Sequence, residues 1–357
     1  MKFTINKNII VEALSNAVRA LSTKITIPVL NGILLNLTND GLEVQASDSE
    51  LTIKTTIEAK NIVNIEKEGR AVLQSRCLLE IIRKMPSEII NFELTDNNNI
   101  KIYSDINEYV IECYNIGEYP NIALEKSQNT IYLESKILKE MINQTSYAMS
   151  MQEVRPLLTG LDSYRLSKKT VKLKDSINSN INIVIPGKSV NELVYILKDE
   201  DNVEIDLFKN KVLFHYNNIL FQTALLNGTY PDTSNYIPKD FNYMINLNLK
   251  EFYSAIDRAS TIMVSKDKNI IKMVIDNKKM TLFAASSDSK SKEELTIDSN
   301  NKEKLEISYS SKYMLDALKV LDSENIILLI NGDDKPIIIN SVDDDTIIEL
   351  ILPIKTY

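Results

Sequence analysis

Three stretches of the chain repeat one pattern. Phe3 opens FTINKNIIVEALSNAVRALS, Ile131 opens IYLESKILKEMINQTSYAMS, and Tyr243 opens YMINLNLKEFYSAIDRASTI. Each reads as a short strand running into an amphipathic helix, and each is followed by strands, a second helix and more strands. A period of over 100 residues is too long for a solenoid unit and means duplicated whole domains.

The second helix recurs as SRCLLEIIRKM from Ser75, PGKSVNELVYIL from Pro186 and SSKYMLDALKVL from Ser310. Apolar residues fall at helical spacing in each: Leu78, Leu79 and Ile82; Val190, Leu193 and Leu197; Met314, Leu315 and Leu318. Ser75, Ser189 and Ser310 are the expected N-caps. Between the helices the period changes to two. Ile33 to Ile57 reads as strands joined by an NDG turn at Asn39 to Gly41, a hairpin signal. Val203 to Leu226 does the same around Lys209-Asn210, as does Ile326 to Leu352. Copies one and two end alike, in GEYPNI (Gly117 to Ile122) and GTYPDT (Gly228 to Thr233), where proline closes a strand and starts a linker. The expected domains are therefore 1–125, 126–243 and 244–357, each α+β with two helices on antiparallel sheet. In line they make a crescent, which a second copy closes into a ring head to tail.

At 357 residues each domain can bury its own core. No segment approaches the roughly 18 apolar residues of a membrane helix, and MKFTINKN is too polar for a signal peptide. Cys77 and Cys113 give neither a disulfide framework nor a metal spacing and read as small core residues. A cytoplasmic protein without cofactor or metal is expected.

A net charge of −8 argues against bulk attraction to nucleic acid, provided the charge is even. It is not. Helix windows 7–24, 75–88, 134–152, 186–198, 248–268 and 310–321 hold 16 basic and 10 acidic residues, against 25 and 39 elsewhere. Two readings stay open here. Solvated helix faces often carry lysine. Alternatively, the helices form a basic wall around DNA, touching phosphates without reading sequence, inside an acidic exterior.

Several segments then carry a resemblance: MKFTI at the start, IPVLNGILL (Ile27 to Leu35), SDSEL (Ser47 to Leu51), EVRPLLTG (Glu153 to Gly160), DSYRL (Asp162 to Leu166), EFYSAIDRAS (Glu251 to Ser260), SSKYMLDALKVL (Ser310 to Leu321) and LILPIKTY (Leu350 to Tyr357). In order and over the whole chain, they resemble the bacterial sliding clamp family, the β subunit of the DNA polymerase III holoenzyme. The resemblance implies a homodimeric ring of six similar domains, helices lining the hole. Such a ring encircles duplex DNA without reading its sequence and tethers the polymerase; it is not a catalyst. Tethering acts as effective concentration, and topological linkage lets weak phosphate contacts suffice. The hole-lining positions it implies are Lys24, Arg76, Arg83, Gln152 and Lys188. A hydrophobic groove for short peptides of polymerase, clamp loader and repair proteins would use Arg155, Leu158, Tyr164, Arg165, Leu166, Pro238, Leu350, Leu352, Pro353 and Ile354. Aliphatic walls with a few polar groups suit such a site; a plain edge strand is the bland alternative for LPIK. Ile111 and Ile262 are the implied dimer-interface residues, of a type that also suits a core.

The middle copy departs from the pattern. Aligning Asp48 with Asp162 and Gly32 with Gly160 leaves 15 intervening residues in copy one and one in copy two, so fourteen are missing. They would form a hairpin beside the groove. Its loss would uncover several core side chains, each worth roughly 1.5–3 kcal/mol of burial. We therefore expect the natural chain to contain a segment absent from this sequence; an unbroken Gly160–Leu161 junction would instead mean a rebuilt domain.

Other motifs carry no chemistry. GKS at Gly187 to Ser189 lacks the glycine a phosphate loop needs at position 182, which is Asn182, and reads as a helix start. His215 is the only histidine, so neither a histidine triad nor a multi-histidine metal site is expected. The run Asp343 to Asp345 reads as a solvated turn, with attraction of a cation as the alternative. The competing function is a repeat-built peptide scaffold that never encircles DNA.

Overall fold

The computed structural model describes residues 1–22, 27–95, 98–127, 129–149, 159–171, 183–227, 233–263, 269–299 and 303–355. Copy one runs β1 (Lys2–Asn6), α1 (Lys7–Ala17), β2 (Gly32–Thr38), β3 (Gly41–Ser47), β4 (Leu51–Glu58), β5 (Ile62–Lys67), β6 (Gly69–Gln74), α2 (Ser75–Lys84), β7 (Ile89–Leu94), β8 (Asn99–Tyr103) and β9 (Glu108–Tyr114). Copy two runs β10 (Thr130–Glu134), α3 (Ser135–Thr145), β11 (Thr159–Leu161), β12 (Arg165–Lys169), α4 (Gly187–Ile196), β13 (Asn202–Leu207), β14 (Lys211–Tyr216) and β15 (Ile219–Ala224). Copy three runs β16 (Tyr243–Asn248), α5 (Leu249–Ser260), β17 (Ile270–Asp276), β18 (Lys279–Ala285), β19 (Lys290–Thr296), β20 (Asp298–Ser299), β21 (Leu305–Ser310), α6 (Ser311–Lys319), β22 (Asn325–Ile330), β23 (Ile337–Ser341) and β24 (Ile347–Ile351).

The strand–helix openings follow from local chemistry. In β1, Phe3 and Ile5 are buried while their neighbours are partly exposed, the period of a half-buried strand. Asn6 ends it: its side chain accepts from the Asn8 N–H at 3.0 Å and caps α1. Helix α1 then buries Ile10, Ala13, Leu14 and Ala17, one stripe at helical spacing. Copy three repeats the device, with Asn248 accepting from Glu251 N–H at 3.1 Å above buried Phe252, Ala255, Ile256 and Ala259. Of the three expected serine caps only Ser310 is one, accepting from Tyr313 N–H at 3.5 Å. Ser75 lies inside α2 and donates to the Asn31 carbonyl at 2.7 Å. Ser189 lies inside α4, buried, its hydroxyl 2.8 Å from that of Thr223. Each serine has found a tertiary partner in place of a helix terminus.

The chain clusters into two compact units: residues 1–138 with 188–225, and 139–187 with 226–357. The first holds one 13-stranded sheet in the order β10-β13-β14-β15-β4-β3-β2-β6-β9-β8-β7-β1-β5. The second holds a seven-stranded sheet, β11-β12-β24-β23-β22-β16-β20, and a four-stranded one, β19-β18-β17-β21. The strands pair antiparallel throughout. The NDG hairpin joins β2 to β3 as expected. Gly41 has φ +145°, and a Cβ there would lie 2.1 Å from the Ile57 carbonyl oxygen, so only glycine fits.

One turn recurs and explains the middle copy. In copy one, Asp48 Oδ1 accepts from the N–H groups of Glu50 and Leu51 at 3.1 and 2.8 Å. In copy two, Asp162 Oδ1 accepts from Tyr164 and Arg165 at 2.7 and 3.0 Å. These are Asx turns, which hold the chain without help from distant residues. The strands beside them share a register: Ser47 faces Thr52 in copy one, and Leu161 faces Leu166 in copy two. Three-residue β11 therefore takes the place beside β12 that seven-residue β3 takes beside β4. Gly160 and Leu161 both belong to β11. Gly160 sits against the end of α3, where a Cβ would lie 2.0 Å from the Thr145 carbonyl oxygen.

Two smaller expectations need correction. Cys113 is buried, but Cys77 is exposed, on the outer face of α2. The aspartate run is not simply solvated: Asp344 accepts the Lys169 ammonium at 2.6 Å. Desolvation opposes charge on Asp344, but the hydrogen bonds from Lys169 and Thr346 prevail and hold its carboxyl below the usual range.

The shortened hairpin is tested by the intact mass of the protein from its native source. A mass of 40.6 kDa, that of these 357 residues, means the middle domain is rebuilt around β11. A greater mass, with the excess mapping between Gly160 and Asp162 in a tryptic digest, means a segment is absent from this sequence.

Candidate peptide groove and basic helix faces

Strands β12 and β24 pair over five residues, Leu166 opposite Leu350 and Ser167 opposite Glu349. Alternation sends the two leucines to one face of the sheet and the Ser–Glu pair to the other. Leu166 and Leu350 join Leu329 and Ile338 in a small apolar cluster, bordered by Leu161, Ile237, Phe241, Ile327 and Ile348. Above it opens a groove of about 540 Å³, within the range of small-ligand and peptide-anchor sites. Its lining includes Arg165, Leu166, Pro238, Leu350 and Leu352, all expected, together with Asn235, Tyr236 and Pro336, which sequence reasoning missed. Tyr236 is 48% exposed. It follows a linker proline by a few residues, which is no signal for a binding wall.

The polar rim is built on Arg165. Its Nε donates to Asp162 at 3.0 Å and its Nη1 to Asp316 at 2.7 Å. The guanidinium lies 4.6 Å from the Tyr313 ring centroid and 5.1 Å from that of Tyr147, a cation–π sandwich. Burial works against its charge, but the two carboxylates outweigh it and raise its pKa above the ordinary value. Tyr164, 52% exposed, stacks on Tyr313 at 5.9 Å. Its carbonyl accepts from the Leu352 N–H at 2.8 Å, tying the C-terminal segment to the Asx turn. Tyr164, Pro353 and Ile354 lie outside the lining, and Ile354 N–H donates to the Ser308 carbonyl at 2.7 Å. Arg155 and Leu158 lie outside the described residues. The DSYR spacing could have revealed the Asp162–Arg165 pair; nothing local could have revealed Asp316 or Tyr147.

The six helices of the described residues carry eleven basic and seven acidic residues, so the positive excess survives the shorter observed boundaries. Arg83 is exposed on α2, with Nη2 3.0 Å from Ser15 Oγ and Nη1 3.5 Å from Glu80. Lys188 on α4 meets Asp48 at 2.8 Å while half-exposed. Lys24, Gln152 and the Arg76 side chain lie outside the described residues. Sequence reasoning did not single out Arg19, which pairs with Glu192 at 3.0 Å and lies 4.5 Å from the exposed Tyr195 ring. Exposed pairs of this kind are worth about 0–1 kcal/mol and open easily. Ile111 on β9 is 7% exposed, and Ile262 is partly buried against the core of copy three. No cluster of three or more His, Cys, Asp or Glu suited to a metal occurs among the described residues. No helix there is long and apolar enough to cross a membrane.

Three copies of two helices on antiparallel sheet, with an apolar groove beside the last strand, define a three-domain clamp fold. Residues 1–123 match the N-terminal domain of the DNA polymerase III beta subunit, residues 161–232 its central domain and residues 234–355 its C-terminal domain. The chain is 37% identical over 378 aligned positions to the beta sliding clamp of Bacillus subtilis and 34% identical to that of Staphylococcus epidermidis, covering all of both chains in each case. Its fold is similar to the crystal structure of the B. subtilis DNA polymerase sliding clamp, with a TM-score of 0.95 over the whole of both chains at 36% identity. The Streptococcus pneumoniae beta chain matches with a TM-score of 0.92 at 30% identity, over 99% of this chain and all of that one. The chain belongs to the DNA polymerase III beta subunit family, and its function is that of a DNA sliding clamp.

Arg165→Met keeps the aliphatic stem but strips the charge from between two aspartates and two tyrosine rings. We expect a loss of roughly 1–3 kcal/mol in denaturant unfolding, the cost of leaving partly buried polar groups unmatched. An unchanged midpoint would show that the sandwich holds nothing together.

Proposed function

We propose that the chain is one protomer of a homodimeric ring that encircles duplex DNA and tethers the replicative polymerase for processive synthesis. The observation that carries this is the positive excess of the helices, eleven basic against seven acidic, in a chain of net charge −8. A ring needs basic faces contributed by several domains toward one cavity; a peptide scaffold needs none. Contacts from Arg83 and Lys188, with Lys24, Arg76 and Gln152, would be to phosphate and blind to sequence. The protein partners of Arg83 and Lys188 suit this task. A side chain that trades a carboxylate partner for a passing phosphate binds weakly, and weak contacts allow sliding.

Linkage by topology removes the need for tight binding, so the acidic total is no obstacle. The domains of this reading are 1–125, 126–243 and 244–357. The groove at Arg165, Leu166, Pro238, Leu350 and Leu352 would receive short peptides of polymerase, clamp loader and repair proteins, with Leu or Phe anchors on the apolar floor. Catalysis is left to those partners, and the cytoplasm is the working compartment.

The test is loading by a clamp loader onto circular and linear DNA of equal length. Retention on nicked circles with rapid loss from linear molecules is expected; equal retention on both would contradict encirclement. The interface assignment has its own test. Ile262→Asp should place a charge where two protomers meet and give monomers in sedimentation velocity, while an intact dimer would remove Ile262 from the interface.

A further inference from the structure

Behind the groove, on the face of β24 opposite Leu350, lies a fully buried carboxyl group. Glu349 is 0% exposed. Its Oε2 accepts the Tyr147 hydroxyl, and its Oε1 lies 2.8 Å from Ser167 Oγ. Ser167 Oγ is also 3.0 Å from the Gln144 carbonyl oxygen. Glu349 forms no ion pair among the described residues. Arg165 is the cation nearest in effect, and Asp162 and Asp316 already match its charge.

Counting protons decides the state of this group. An ionised Glu349 leaves two hydroxyl protons for three contacts. Tyr147 satisfies Oε2, and the one proton of Ser167 must choose between Oε1 and Gln144. Gln144 sits in the last turn of α3, where backbone carbonyls lack intrahelical donors, so among the described residues either choice leaves a buried acceptor bare. A neutral Glu349 completes the set. Its own O–H donates to Ser167 Oγ, Ser167 donates to Gln144, and Tyr147 donates to Oε2. Burial acts in the same direction, pushing the Glu349 carboxyl well above the usual range, and burial next to Glu349 raises the Tyr147 phenol too.

Tyr147 is also the ring beneath Arg165. We propose that Glu349 is a neutral carboxylic acid in the native protein and a positioning residue for the peptide groove, fixing Arg165 through the hydroxyl of Tyr147. Its role at the groove rests on the peptide-binding reading above; its protonation does not.

Two experiments separate these parts. In an infrared difference spectrum of wild type minus Glu349→Gln at neutral pH, the carbonyl band of a protonated carboxylic acid should belong to the wild type alone. A carboxylate band in its place would overturn the proposal. Binding of a fluorescein-labelled peptide bearing Leu and Phe anchors supplies the positioning readout. Glu349→Ala and Tyr147→Phe should each weaken it roughly fivefold, about the worth of one hydrogen bond. Glu349→Gln should rescue it, because an amide can accept from Tyr147 and donate to Ser167. A glutamine variant as weak as the alanine variant would mean the carboxylate itself is needed, contradicting the neutral acid. The Arg165 Nε–H resonance should shift in Tyr147→Phe and stay in place in Glu349→Gln; no shift in either would overturn the positioning role. If wild type binds no peptide while the acid band and the Arg165 shift appear as stated, the groove reading fails and the buried acid stands.

The sign of the pH effect follows from the raised pKa. The neutral acid stabilises the fold fully below the ordinary carboxylate range, and that contribution is lost as pH rises toward the folded pKa. Wild-type stability should fall with pH relative to Glu349→Gln.

Discussion

The pairing of β12 with β24 is the interaction on which the site depends. It joins a strand from the second copy of the repeat to the last strand of the third, Arg165 to Lys169 against Ile347 to Ile351. One face of that ribbon presents Leu166 and Leu350 to the groove, each worth roughly 1.5–3 kcal/mol of burial. The other face buries Ser167 and Glu349. A slip of one residue would exchange the two faces, placing a carboxyl in the apolar floor. The Asx turn at Asp162 and the Leu352–Tyr164 backbone bond guard against this at one end, and the backbone bond from Thr170 N–H to the Thr346 carbonyl at the other. The first copy uses the same turn at Asp48 to set β3 against β4. A single local device thus fixes register in two domains and, in the second, one wall of the groove.

Electrostatics divides the same way. Strong, buried arrangements hold the groove: Arg165 between two aromatic rings and two carboxylates, and Glu349 hydrogen-bonded beneath them. Weaker arrangements cover the helices, where the Arg83–Glu80 pair is open to water and half-exposed Lys188 reaches a largely covered Asp48. This is the distribution a clamp requires. Peptide recognition needs a shaped, rigid wall, whereas passage along DNA needs contacts that break on every step. At physiological salt, charges beyond a Debye length of about 8 Å are screened, so the acidic residues elsewhere in the chain do not cancel a locally basic helix face.

What could be read from the sequence was local. The strand–helix openings at Phe3, Ile131 and Tyr243, the NDG hairpin and the helical start at Gly187 all follow from periodicity and turn chemistry within about ten residues. The errors came where a residue's partner lies far along the chain. Ser75 and Ser189 looked like caps but bond to Asn31 and Thr223. Asp344 looked solvated but holds Lys169. Nearly half of the groove lining, Arg165, Leu166, Pro238, Leu350 and Leu352, was legible through family resemblance. Asp316, Tyr147 and Tyr236 were not, because only the folded chain brings them to Arg165 and Leu350. The short middle copy became visible only by aligning it with the first, and the structure shows how β11 fills the vacant register.

The central claim is that the leucine face of the β12–β24 ribbon is the docking floor for partner peptides. It is tested most directly by the affinity of a Leu- and Phe-anchored peptide for wild type and for Leu350→Lys, with the unfolding midpoint checked in both. A loss of tenfold or more, about 1.4 kcal/mol or above, with retention on circular DNA unchanged, is the predicted result. Equal affinity in a folded Leu350→Lys variant would place the peptide site elsewhere and contradict the account.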